Sequence, residues 1–60
     1  MILTLRIVDA NGVVLYEECL VEGVGVVPRV GDAVLVEPNE GFVKTVIWDY
    51  SIGMVTVYLD

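Results

Sequence analysis

The sequence predicts an all-β fold, five short strands closing into a small barrel, and three features carry that prediction. Fourteen of the 60 residues are Val, and β-branched side chains stiffen the backbone and favour extended structure. Apolar and polar residues alternate over much of the chain, the period of a strand with one covered face. Gly, Pro and Asn fall between the alternating runs, where the chain has to reverse. No window shows a helical period.

The first strand is predicted over 1–9, with Leu3, Leu5 and Ile7 on one face and Thr4 and Arg6 on the other. Asn11-Gly12 tolerates the positive φ of a tight hairpin turn. The second strand is predicted over 13–21. Glu17 and Glu18 interrupt its apolar character at mid-strand, and the period of two sends them to opposite faces. Glu22 to Asp32 reads as a loop crossing one barrel end, because Pro28 cannot donate to a central ladder. A short third strand over 33–37 ends at a turn, Pro38-Asn39-Glu40-Gly41.

The fourth strand is predicted over 42–50. Val43, Val46 and Trp48 break the period of two, and a β-bulge near Lys44-Thr45 returns all three to one face. Ser51-Ile52-Gly53 turns the chain into the fifth strand, 54–59, where Val55, Val57 and Leu59 face inward. Val34, Val36 and Val46 complete the predicted core. Trp48 shares that phase and is predicted to be core rather than groove.

Sixty residues make one domain. A chain this short buries only about 60% of the surface its unfolded form exposes, so it needs a further source of stability. One Cys excludes an internal disulfide, and the absence of His with a single Cys leaves no zinc site. Oligomerisation remains. Apolar residues with Gly make up 37 of 60 positions, more than one small barrel hides. A homo-oligomer is therefore expected, a two-fold dimer most simply. The predicted interface residues lie out of phase with the core: Ile2, Val14, Leu35, Ile47 and Tyr58. Tyr50 and Arg29 join them, because Tyr hydroxyls seek water or a partner and Arg is enriched at binding hot spots.

The net charge of −6 rests on nine acids against Arg6, Arg29 and Lys44. Three cations are too few for an ordinary phosphate footprint, so no nucleic acid is expected as a ligand. The acidity also disfavours anionic membrane surfaces, and no apolar run reaches the length of a membrane span. A lone Cys and an alternating N-terminus that does not read as an export signal point to the cytoplasm.

Chemistry finds little support. Cys19 has acidic sequence neighbours and no His to activate it, so it reads as a buried structural thiol. Ser51 has no base in view. Asp9-Ala10-Asn11-Gly12 starts like a calcium loop, but Val13, Val14 and Leu15 stand where further acids are required. No cofactor and no metal are expected. Pro28 to Asp32 has a mechanical reading: Pro28 fixes φ, Gly31 takes a positive one, and Asp32 accepts from nearby amides. A similar turn occurs in biotinyl and lipoyl carrier domains, but Lys44 sits inside a strand rather than on an exposed hairpin tip.

Val27-Pro28-Arg29-Val30-Gly31-Asp32-Ala33-Val34, then Phe42-Val43, Val46-Ile47-Trp48-Asp49 and Val55-Thr56-Val57, resembles a recurrent pattern in tiny bacterial and phage proteins. The resemblance covers almost the whole chain, and its motif is structural. It implies a Src-homology-3-like barrel, an origin in a phage or other mobile element, and no established activity. An accessory barrel that self-associates and binds a host or phage protein, for instance to inhibit a host-defence factor, is the expected function. Two rivals remain. One is an acidic mimic of nucleic acid, with Glu17, Glu18, Glu22, Glu37, Glu40 and Asp49 in a row. The other is a small-barrel nucleic-acid binder, which requires Arg6, Arg29 and Lys44 on one face beside exposed aromatics.

Overall fold

The computed structural model describes residues 2–21 and 27–60. They form five strands: β1 (Ile2–Val8), β2 (Val14–Val21), β3 (Ala33–Val36), β4 (Asn39–Asp49) and β5 (Met54–Leu59). The order across the sheet is β2-β1-β5-β4-β3. It curls into a nearly closed barrel, as in small Src-homology-3-like barrels. Three of the four pairings are antiparallel; β1 and β5 run parallel at the centre of the sheet. The first and last strands thus hold the fold together, and β2 and β3 form its two edges.

Strand alternation builds the core. Leu5 and Ile7 of β1, Val43 of β4, and Val55, Val57 and Leu59 of β5 are buried together. Leu3, Leu15, Val34 and Val46 pack partly buried against them. Each fully buried aliphatic side chain contributes roughly 1.5–3 kcal/mol. Val8 is buried outside this cluster.

The bulge in β4 lies where the apolar spacing requires it. Val43 pairs with Leu59 and Thr45 with Tyr58, so Lys44 is the extra residue. Beyond it Val46 pairs with Val57 and Trp48 with Val55, restoring the inward phase. A second irregularity falls between Ile7 and Val8 where β1 meets β2, beside the first hairpin.

The turns are built by carboxylates. Asp9 Oδ1 accepts from the backbone N–H of Asn11 at 2.8 Å and of Val13 at 2.9 Å, and Gly12 adopts φ 84°. Asp32 Oδ2 accepts from the Arg29 N–H at 2.8 Å, while the Asp32 N–H donates to the Arg29 carbonyl. Gly31, the third residue of that turn, has φ 94°, which a Cβ disfavours. The mechanical reading of Pro28–Asp32 holds. Of the predicted Glu22–Asp32 loop, residues 22–26 lie outside the described residues.

Two boundaries are corrected. The β3–β4 turn is Glu37-Pro38, not Pro38–Gly41, and its Glu37–Pro38 peptide bond is cis. Consequently β4 begins at Asn39, three residues before the predicted Phe42. Asn39, Glu40 and Gly41 resemble turn residues, but pairing with Val36, Leu35 and Val34 holds them extended.

Candidate interaction surfaces

Trp48 is not a core residue. It lies on the inward face opposite Val55, as its phase predicts, yet it is 46% exposed. β3 pairs only with residues 39–42 of β4, so the later half of that strand runs past its neighbour. Among the described residues no strand covers that half of β4, and the indole sits in the mouth of the barrel.

Around it the structure gathers the residue types that dominate binding hot spots. The Tyr50 ring stacks on Trp48, with centroids 6.4 Å apart and planes 19° from parallel. Across from the indole, Pro28, Arg29 and Val30 complete a shallow groove of about 460 Å3 with Val27 and Val46. Tyr50 and Val30 are each 66% exposed. Trp, Tyr and Arg are the three types most enriched where binding energy concentrates. Sequence reasoning identified Arg29 and Tyr50 and missed Trp48 and Val30. An inward phase does not reveal whether anything faces the residue.

The other predicted interface residues all fall on the outer set, but not together. Ile2, Val14, Leu35, Ile47 and Tyr58 lie one on each strand around the barrel. Tyr58 lines a recess with Lys44 and the buried Leu59, and Leu35 joins an exposed apolar ring, that of Phe42. With Phe42, Gly41 and Ala33 it lines a recess of about 460 Å3 on the outer face of the β3–β4 hairpin. Leu35 and Phe42 are each 60% exposed. Glu40 and Asp60 border the recess, and Glu37 and Pro38 continue it past Leu35.

The acids are spread over the molecule. Glu17 sits outward and binds Arg6, 2.8 Å from Nη2 and 2.9 Å from Nε. Glu18 lies opposite Leu5 on the inward face, where the Tyr16 hydroxyl donates to it at 3.1 Å. That hydrogen bond, and then the charge behind it, raises the Tyr16 pKa above 10.0. Asp49 accepts from the Ser51 hydroxyl and, at 3.1 Å, from the Ser51 N–H. The hydroxyl bond leads in lowering its pKa below 3.8. Ser51 is thus a turn-capping residue. Glu37 and Glu40 sit at the β3–β4 hairpin, and Glu22 lies outside the described residues.

The cations are not gathered either. Arg6 is tied to Glu17, Arg29 is at the barrel mouth, and Lys44 lines a different recess with Asp9 and Asp60. Cys19, expected to be buried, is exposed on the outer face of β2, opposite Thr4. The alternation that turns Glu18 inward turns its neighbour outward. Among the described residues no cluster of three or more His, Cys, Asp or Glu is placed to hold a metal ion. Among the described residues no helix is long and apolar enough to cross a membrane. Compared with protein-family models, with curated proteins and with solved structures, the chain gives no match.

Proposed function

We propose that this chain is a non-catalytic protein-interaction module that self-associates and binds another protein. The observation that carries the reading is the exposed Trp48–Tyr50 stack beside Arg29 and Val30. A half-exposed indole in an apolar groove is costly surface in a domain with seven buried hydrophobic side chains among the described residues. A second copy seated on this end covers it. A standard interface takes about 800 Å2 from each partner, roughly a fifth of the 4129 Å2 this chain exposes.

Two-fold symmetry brings the same patch from both copies together, so each residue serves twice. Arg29 supplies the cation of the patch. That the further partner is a host protein met by a phage or mobile element rests on the sequence resemblance alone.

Sedimentation equilibrium across low to high micromolar concentrations tests self-association. A mass twice 6.6 kDa at the upper end is expected. Trp48→Ser and Arg29→Glu should each shift the equilibrium to monomer. A monomer throughout, or a dimer indifferent to both substitutions, overturns the assignment.

A further inference from the structure

The two sheet edges differ. β2 carries Glu17 outward and Glu18 inward, and an inward charge on an edge strand opposes pairing with another strand. β3 reads Ala-Val-Leu-Val and carries no charge. Its backbone orientation follows from one hydrogen bond. The Val43 N–H donates to the Asp32 carbonyl at 2.9 Å, which makes Asp32 and Val43 a bonded pair. Antiparallel ladders alternate bonded and non-bonded pairs. Val34 with Gly41 and Val36 with Asn39 are then bonded, and Ala33 and Leu35 turn their N–H and C=O groups to the open edge.

Both sides of that edge are recessed. On the outer face lies the Leu35–Phe42 recess, bordered by Glu40 and Asp60 and continued by Glu37. On the inner side a cleft of about 280 Å3 separates β3 from β1 and β2, lined by Ile7, Tyr16, Val34, Leu35 and Val36. Among the described residues no cation lines any of these recesses.

We infer that the open edge of β3 receives an extended segment of a partner protein, added as a further strand, in which apolar residues alternate with Lys or Arg. This rests on the reading of the chain as protein-binding and adds the site and the partner's chemistry. The backbone groups of Ala33 and Leu35 hold the segment, and its apolar side chains fill the recesses beside Leu35 and Phe42. Its cations meet Glu37, Glu40 and Asp60. A second copy fits this edge poorly. It carries the same Glu37, Glu40 and Asp60 to the seam and, among the described residues that line these recesses, no cation to meet them.

The probe is a fluorescein-labelled eight-residue peptide of alternating Val and Lys, with a Val/Glu peptide as its counterpart. Anisotropy titration of the full chain should show saturable binding of the Val/Lys peptide and none of Val/Glu. At saturation, amide exchange measured by NMR should slow at Ala33 and Leu35. Ala33→Pro deletes one edge donor at a strand's first position, where Pro is tolerated, and should weaken binding about three- to tenfold. Leu35→Lys should weaken it by about tenfold or more.

Equal affinity for both peptides, no binding by the folded chain, or unchanged exchange at Ala33 and Leu35 overturns the inference. So does slowed exchange there in the peptide-free protein on raising its concentration, which would mark β3 as a self-association edge. Trp48→Ser should keep the peptide affinity. Loss in that variant would place the peptide at the barrel mouth and overturn the β3 assignment, whatever sedimentation shows about the dimer.

Discussion

Trp48 stands directly opposite Val55 in the β4–β5 ladder, yet Val55 is fully buried and the indole is half exposed. Pairing decides which face a side chain joins; burial depends on what lies across the barrel. Trp48→Ala removes contacts from only about half of a large aromatic surface and should cost about 2 kcal/mol. Leu5→Ala, in the sealed part of the core, should cost about 3–5 kcal/mol. Urea melts at low micromolar concentration compare the two directly. A larger loss at Trp48 than at Leu5 would show that the indole is structural.

The same contrast explains how much was legible in the sequence. Five strands, the Asn11-Gly12 and Gly31-Asp32 turns and the bulge at Lys44 all follow from local patterns, and a period read along one strand reports its face. The parallel meeting of β1 and β5 follows from no local pattern, because it joins the two ends of the chain. The exposure of Trp48 depends on β3 being only four residues long beside an eleven-residue β4. Asn39 to Gly41 mislead because Asn and Gly favour turns wherever ladder pairing does not hold them extended.

Cys19 offers a second check on the faces of β2. Exposed on the outer side of an edge strand, its thiol should react with Ellman's reagent in the native protein at a rate close to that in denaturant. Protection by more than about a hundredfold in the native state, the mark of access only through opening, would place it inside.

Gly53 has φ 64°, and a Cβ built there comes within 3.1 Å of the Ile2 carbonyl oxygen. Its own carbonyl accepts from the Thr4 N–H at 2.8 Å, tying the β4–β5 turn to β1. Gly53→Ala adds left-handed strain of roughly 1–2 kcal/mol to that close approach. Gly53→Asn, which tolerates positive φ better, should lose less in thermal melts. Equal losses would assign the cost to the close approach alone.

Asp49 is held below its ordinary pKa of 3.8 by the Ser51 hydroxyl first and the Ser51 and Ile52 amides after it. A depressed folded pKa favours the folded state above the unfolded value, and the benefit fades as pH falls through the lowered folded value. Asp49 should titrate below the exposed carboxylates in a carbon-13 NMR titration. Ser51→Ala should raise its midpoint toward 3.8. It should also reduce the wild-type stability advantage at neutral pH, with the two proteins converging at the acid end. A midpoint indifferent to Ser51→Ala would remove the hydroxyl from the account.

The two proposed contacts should answer to salt with opposite signs. Each copy carries a net charge of −6, so dimerisation brings like charges together while apolar contact holds them. At 0.1 M salt, charges interact over about 10 Å, and at 1 M over about 3 Å. The chain's radius of gyration is 10.9 Å, so low salt leaves much of the intercopy repulsion in place and high salt removes it. Self-association through Trp48, Tyr50 and Val30 should therefore strengthen between 0.1 M and 1 M. Binding of the Val/Lys peptide beside Glu37, Glu40 and Asp60 should weaken over the same range, because its attraction is what salt screens. Sedimentation follows the first and anisotropy the second in matched buffers. Dimerisation that weakens with salt would shift its basis from the aromatic patch to ion pairs made by Arg29. Peptide binding that ignores salt would remove charge complementarity, and with it the basic partner, from the β3 edge.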